Sequence, residues 1–176
     1  MSEPTRRVYF SDVDIARVMR DYSTLGRNGF WYPHQQTSSL TLAEDRARLE
    51  ASVEDIAFAI EWLRQFATTK RITDNSPSSY YLKHVAEPFS SRGYIANGDM
   101  IAAVIHLGLP WKRYCFRSPN ISVGLSKRSI AEFLKSNREQ LSKHCIYVPS
   151  ESEKAYRARM SRGGVTRWRR SPYGRF

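Results

Sequence analysis

Residues 41–67 read TLAEDRARLEASVEDIAFAIEWLRQFA, and this stretch decides the fold class. Thr41 and Glu44 stand at capping-box spacing, where a hydroxyl and a carboxylate satisfy each other's backbone N–H at a helix start. Leu49, Val53, Ile56, Ile60, Leu63 and Phe66 with Ala67 then recur in steps of three and four. That period gathers them on one face of a helix and leaves the charged residues on the other. The spacing predicts a single helix over 42–69. Such a stripe suits the middle of a bundle, and its length also permits a homodimer through the apolar face. Charges that would pair across a coiled-coil seam are not evident, which favours the bundle.

Working outward, Ser11 and Asp14 form a second capping box, and Ile15, Val18, Met19 and Tyr22 follow at helical spacing. A helix over 12–25 with Gly26 as its stop is expected, then a loop over 26–40 anchored by Phe30, Trp31 and Tyr32. On the other side, Ser76 as N-cap and Pro77 at the first helical position open a helix over 77–87, which Pro88 closes. A connector over 88–96 leads to a helix over 97–107, capped by Asn97 and stopped by Gly108. Over 113–125 the period changes. Tyr114, Phe116, Ile121, Val123 and Leu125 alternate around Ser118-Pro119-Asn120, the pattern of a short β-hairpin. Ser126 caps a further helix with Ile130, Phe133, Leu134 and Leu141 inside. Residues 145–148 read as a short strand or extended link, and Ser150 to Glu153 opens a short helix to about 161. From Gly163 onward no core-forming period is present. The fold class is mainly α: a helical bundle with a small β-hairpin in one domain over 1–150, and a basic Arg/aromatic extension over 151–176.

Charge is distributed unevenly along this frame. Residues 1–71 hold ten basic and ten acidic side chains; residues 72–150 carry a net +5 and residues 151–176 a net +6. The whole excess of +11 therefore lies in the second part of the chain. Such a gradient suits a polyanionic partner, of which nucleic acid is the commonest. Arg157, Arg159, Arg162, Arg167, Arg169, Arg170 and Arg175 crowd the C-terminal segment, with Trp168 and Tyr173 among them. Guanidinium groups contact phosphates bidentately, and interleaved aromatics stack on exposed bases.

The order helix, helix, hairpin over 76–142 is that of a winged helix-turn-helix, whose second helix enters the major groove with the hairpin beside it. Lys112, Arg113 and Arg117 fall in or beside the wing, and Lys127 and Arg128 follow it. The connector of about nine residues is longer than the usual turn, and the second helix is mostly apolar. Base contacts are therefore expected from Asn97 at its start and from Tyr80, Lys83 and His84 on the preceding helix. In the same region Ser79-Tyr-Tyr-Leu-Lys-His84, Tyr94-Ile-Ala-Asn-Gly98 and Ile101-Ala-Ala103 resemble short, largely uncharacterised proteins of bacterial mobile elements. The resemblance spans residues 76–125. It implies a plasmid, phage or integrated-element setting and carries over no catalytic residue.

Catalytic signatures are missing from the sequence. His34, His84, His106 and His144 form neither HExxH nor a zinc-finger spacing, and no GxxxxGK[ST] or GxGxxG occurs. The carboxylates of residues 44–61 read as a solvated helix face rather than a two-metal nuclease site. No enzyme activity, cofactor or metal is expected. Cys115 and Cys145 lie outside any CxxC and suit free thiols in a reducing cytosol. No secretory signal is evident, and the longest apolar stretch, Met100 to Leu109, is too short to span a bilayer. The sequence thus points to a cytoplasmic, non-catalytic nucleic-acid-binding protein, with DNA favoured over RNA. The alternative is a protein-interaction module that inhibits a host complex by binding an acidic partner surface.

Overall fold

The computed structural model describes residues 14–32, 40–113 and 115–143. Among them the chain is mainly helical. It forms α1 (Ile15–Asp21), β1 (Leu25–Gly26), β2 (Gly29–Phe30), α2 (Leu42–Glu50), α3 (Val53–Leu63), α4 (Ser79–Ala86), α5 (Asn97–His106), β3 (Trp111–Arg113), β4 (Ile121–Val123), α6 (Lys127–Ser136) and α7 (Arg138–Lys143). A 3-10 turn over Glu87–Phe89 follows α4. No helix of the described residues is long and apolar enough to cross a membrane.

The stripe read from residues 49–66 is the heart of the core, but the helix carrying it is broken. Leu49, Ile56, Ile60, Leu63 and Phe66 are all buried. The expected continuous helix over 42–69 instead divides at Ala51 and Ser52, where the Ser52 backbone leaves helical geometry. The Ser52 hydroxyl competes for the local backbone: it lies 2.7 Å from Leu49 O and 2.6 Å from Asp99 Oδ1. The second helix ends at Leu63 because the following chain pairs elsewhere. Thr69 N–H donates to Gly124 O at 2.8 Å, and Thr68 bridges to Leu125. With its apolar face turned inward, this stripe offers no surface for the homodimer envisaged from the sequence.

Other boundaries shift for similar reasons. Asp14, not Ser11, caps α1, accepting from Arg17 N–H at 2.9 Å; Ser11 lies outside the described residues. The end of α1 is held by Arg46, whose guanidinium donates to the carbonyls of Met19, Tyr22, Ser23 and Leu25. Gly26, expected as a helix stop, lies in β1, and residues 25–30 form a tight hairpin with Arg27 and Asn28 at its turn. Ser78 replaces Ser76 as the cap of α4, and Pro88 falls within the 3-10 turn. The helix after Ser126 breaks at Asn137, whose side-chain amide donates to Phe133 O. A hairpin is present as β3 and β4, antiparallel, with Lys112 opposite Ser122, but its first strand lies earlier than the 113–125 span read from the sequence, and Phe116 falls in the turn.

The largest correction concerns α5. As the second helix of a winged helix-turn-helix it would need a face open to a groove. Instead it is the central helix, packed against α1, α3, α4 and β2. Every residue from Asn97 to Val104 is buried. At Gly98 a Cβ would stand 2.1 Å from Gly26 O, so only glycine lets the helix approach the β1–β2 hairpin this closely. The winged-helix docking mode therefore fails even though the element order is right.

An ion network locks the start of α5. Arg27 Nη2 lies 2.8 Å from Asp55 Oδ2, and Arg27 Nε lies 3.4 Å from Asp99 Oδ2. Arg92 reaches Asp55 at 3.3 Å and also pairs with Glu54. Asp99 Oδ2 accepts the Ala96 N–H, which would otherwise be an orphan at the helix start. Burial pushes the Asp99 carboxyl up to about 6, against the pull of Ser52, Arg27 and Ala96, while the nearby Asp55 adds to the rise. The folded state therefore holds an extra proton at pH values between the ordinary 3.8 and about 6. Stability from this group is fully present below the ordinary value and is lost as pH rises through 6. The stability of the wild type relative to Asp99→Asn is expected to be about 1 kcal/mol greater at pH 5 than at pH 7. Urea denaturation of both proteins at the two pH values checks this, and a flat difference contradicts it.

Candidate functional site

Four segments distant in sequence enclose one cleft of about 410 Å³, lined by Asn28, Tyr80, Lys83, Tyr94, Asn97, Pro119 and Asn120. The volume lies in the range of small-ligand sites. Helix α4 supplies Tyr80 and Lys83 one turn apart, the connector before α5 supplies Tyr94, and the β3–β4 loop supplies Pro119 and Asn120. Tyr80 and Tyr94 are each about half exposed, at 51% and 53%. Lys83 lies between them, its Nζ 5.3 Å from the Tyr80 ring centre and 5.0 Å from that of Tyr94, in cation–π range of both.

Lys83 is itself buried and pairs with Glu87 at 3.0 Å. The sequence reading expected it to contact bases; the structure buries it within cation–π range of the two rings. His84 Nδ1 lies 2.7 Å from the other Glu87 oxygen, and its ring meets Tyr80 edge-on with centres 4.5 Å apart. Burial works to raise the Glu87 carboxyl, but hydrogen bonds from His84 and Lys83 outweigh it and hold the group below its ordinary value.

Asn97 fastens the cleft together. Its Nδ2 donates to Asn28 O, Pro119 O and Asn120 Oδ1 at 3.4, 3.2 and 3.1 Å. Two of these partners are carbonyls, which fixes the amide orientation. Asn97 Oδ1 is buried without a hydrogen-bond partner among the described residues.

The exposed cations lie on adjoining elements. Lys112 on β3, Arg117 in the β3–β4 loop and Lys127 and Arg128 in the first turn of α6 are all exposed. Arg117 rests 5.3 Å from the centre of the Phe116 ring, itself 63% exposed. Arg128 makes only a surface pair with Glu132. Two cations and no acidic residue stand in the first turn of α6, where they oppose its dipole. The connector that runs beside β4 adds Lys70 and Arg71, both exposed and passed over in the sequence reading.

Arg113 is a correction. Its guanidinium donates to the carbonyls of Ser118, Phe116 and Trp31 and covers the Phe30 ring at 4.8 Å. It braces the hairpin loop rather than facing solvent. Thus Tyr80, Lys83, His84 and Asn97 are brought together, Lys112, Arg117, Lys127 and Arg128 lie on the surface, and Arg113 is half-buried against its own loop. Arg157, Arg159, Arg162, Arg167, Trp168, Arg169, Arg170, Tyr173 and Arg175 lie outside the described residues. Tyr94, Asn28 and Asn120 were missed; Tyr94 stood within the quoted motif, and Asn28-Gly29 is a turn signal that places Asn28 at a hairpin tip. No group of three or more His, Cys, Asp or Glu side chains among the described residues is placed to hold a metal. In comparisons with known proteins the chain matches no family model, no curated protein and no solved structure.

Proposed function

We propose that this protein binds nucleic acid without chemistry, DNA in preference to RNA, as a regulator of a bacterial mobile element would. One observation carries the reading: the way the cations are sorted. Arg27, Arg46 and Lys83 are occupied inside the fold, Arg92 pairs with Glu54 and Asp55, and Arg113 is tied to the carbonyls of its own loop. By contrast, Lys112, Arg117 and Lys127 are exposed and form no ion pair among the described residues, and Arg117 lies in the loop that supplies Pro119 and Asn120 to a cleft walled by aromatic rings. Exposed cations beside stacking surfaces suit a ligand that carries phosphates and bases together.

The test is titration of the full chain with duplex DNA, single-stranded DNA and RNA at several salt concentrations. The logarithm of affinity is expected to fall linearly with the logarithm of salt. Absence of binding to all three near physiological salt overturns the reading. A second reading, an acidic protein partner, is favoured by a separate groove of about 700 Å³ between α4 and α6. Pro77, Tyr81, Ile130 and Leu134 make its wall apolar and Lys127 places a cation on it. That reading takes over if nucleic acid does not bind.

A further inference from the structure

We propose that the cleft between Tyr80 and Tyr94 takes a single unpaired nucleobase, so that the protein distinguishes single-stranded from duplex nucleic acid. The inference rests on the nucleic-acid reading above and adds to it the kind of strand recognised. Both rings are half exposed while the cation between them is buried. The Lys83 charge is paired with Glu87, and the two rings are among the exposed surfaces that line the cleft. A base inside a duplex has both faces covered by its neighbours; only an unpaired base offers a face to a tyrosine.

Asn97 and Asn120 line the same cleft, and Asn120 Oδ1 accepts from Asn97 Nδ2. The Asn120 Nδ2 makes no hydrogen bond to a described residue and is a donor for an acceptor on the base edge, which every base carries. The cleft therefore selects for an unpaired base without fixing which one. The loop that supplies Pro119 and Asn120 also carries Arg117, exposed against Phe116. A strand leaving the cleft meets that cation with its next phosphate.

The experiment uses the full chain and three ligands of equal length: single-stranded DNA, the matching duplex, and a single strand with abasic sites that keeps the phosphates but lacks bases. Wild-type protein is expected to bind the single strand about tenfold or more tightly than the abasic strand. Tyr80→Leu and Tyr94→Leu each lower single-strand affinity about tenfold and leave duplex and abasic affinity unchanged. Tyr80→Trp, which restores a ring, retains binding. Melting curves confirm that each variant folds; both tyrosines are exposed enough for the core to survive. Equal affinity for the intact and abasic strands overturns the inference while the nucleic-acid reading stands, as does loss on all three ligands alike. Failure of wild-type protein to bind any ligand overturns the nucleic-acid reading itself.

Discussion

Replacing Arg27 with methionine is expected to cost about 3–5 kcal/mol of folding stability. The guanidinium lies between two carboxylates whose side chains are 6% and 0% exposed. Removing it leaves Asp55 and Asp99 enclosed with less positive charge to offset them. Arg92 still reaches Asp55 but has no contact with Asp99. Asp99 would answer by taking up a proton, so the deficit should narrow in acid, since burial already places its carboxyl near 6. Adding Asp99→Asn to the variant removes one of the stranded charges and should recover part of the loss. Chemical denaturation of wild type, single and double variants forms the cycle that measures this. A loss below about 1 kcal/mol, the range of a surface pair, would mean that the network is solvated and does not hold α5 in place.

Charge reversal at Lys112, Arg117 and Lys127 together is expected to lower affinity for DNA about a hundredfold in 0.1 M salt and to flatten the salt dependence by about three phosphate contacts. These residues sit on three neighbouring elements and form no ion pair among the described residues. Reversing them should leave the fold intact. The control is reversal of Arg17, Arg20 and Arg48, exposed cations on α1 and α2. It changes the net charge equally. Loss confined to the first set identifies a face; equal loss in both sets indicates only a general attraction of a basic protein for a polyanion, and no loss in either counts against binding through this surface.

Much of the fold was legible because apolar periodicity survives local rearrangement. Leu49, Ile56, Ile60 and Leu63 are core residues whether or not the helix beneath them is continuous. What periodicity does not register is a side chain that competes with the backbone. Ser52 breaks the helix through partners at Leu49 and Asp99, the second of which is remote in sequence. The winged-helix reading failed for a related reason. Element order is a local property, whereas burial of α5 on nearly every side depends on which helices surround it. At the site, the structure brings together Tyr80, Lys83, His84 and Asn97, which the sequence reading had taken as groove-facing residues. Nothing local in the sequence tells that Lys83 turns inward to Glu87, or that Arg113 turns to the carbonyls of its own loop.

The amide of Asn97 has a consequence for when the molecule becomes competent. It ties together residues 28, 119 and 120, so the walls of the cleft come from opposite ends of a stretch of over ninety residues. A chain still emerging from the ribosome has no cleft until that span is complete, and a protease that removes the β3–β4 loop takes away one wall. Occupancy is then coupled to the integrity of the entire domain: whatever fills the space also clamps the termini of that span, and adds to resistance against unfolding in proportion to the logarithm of its concentration above the dissociation constant.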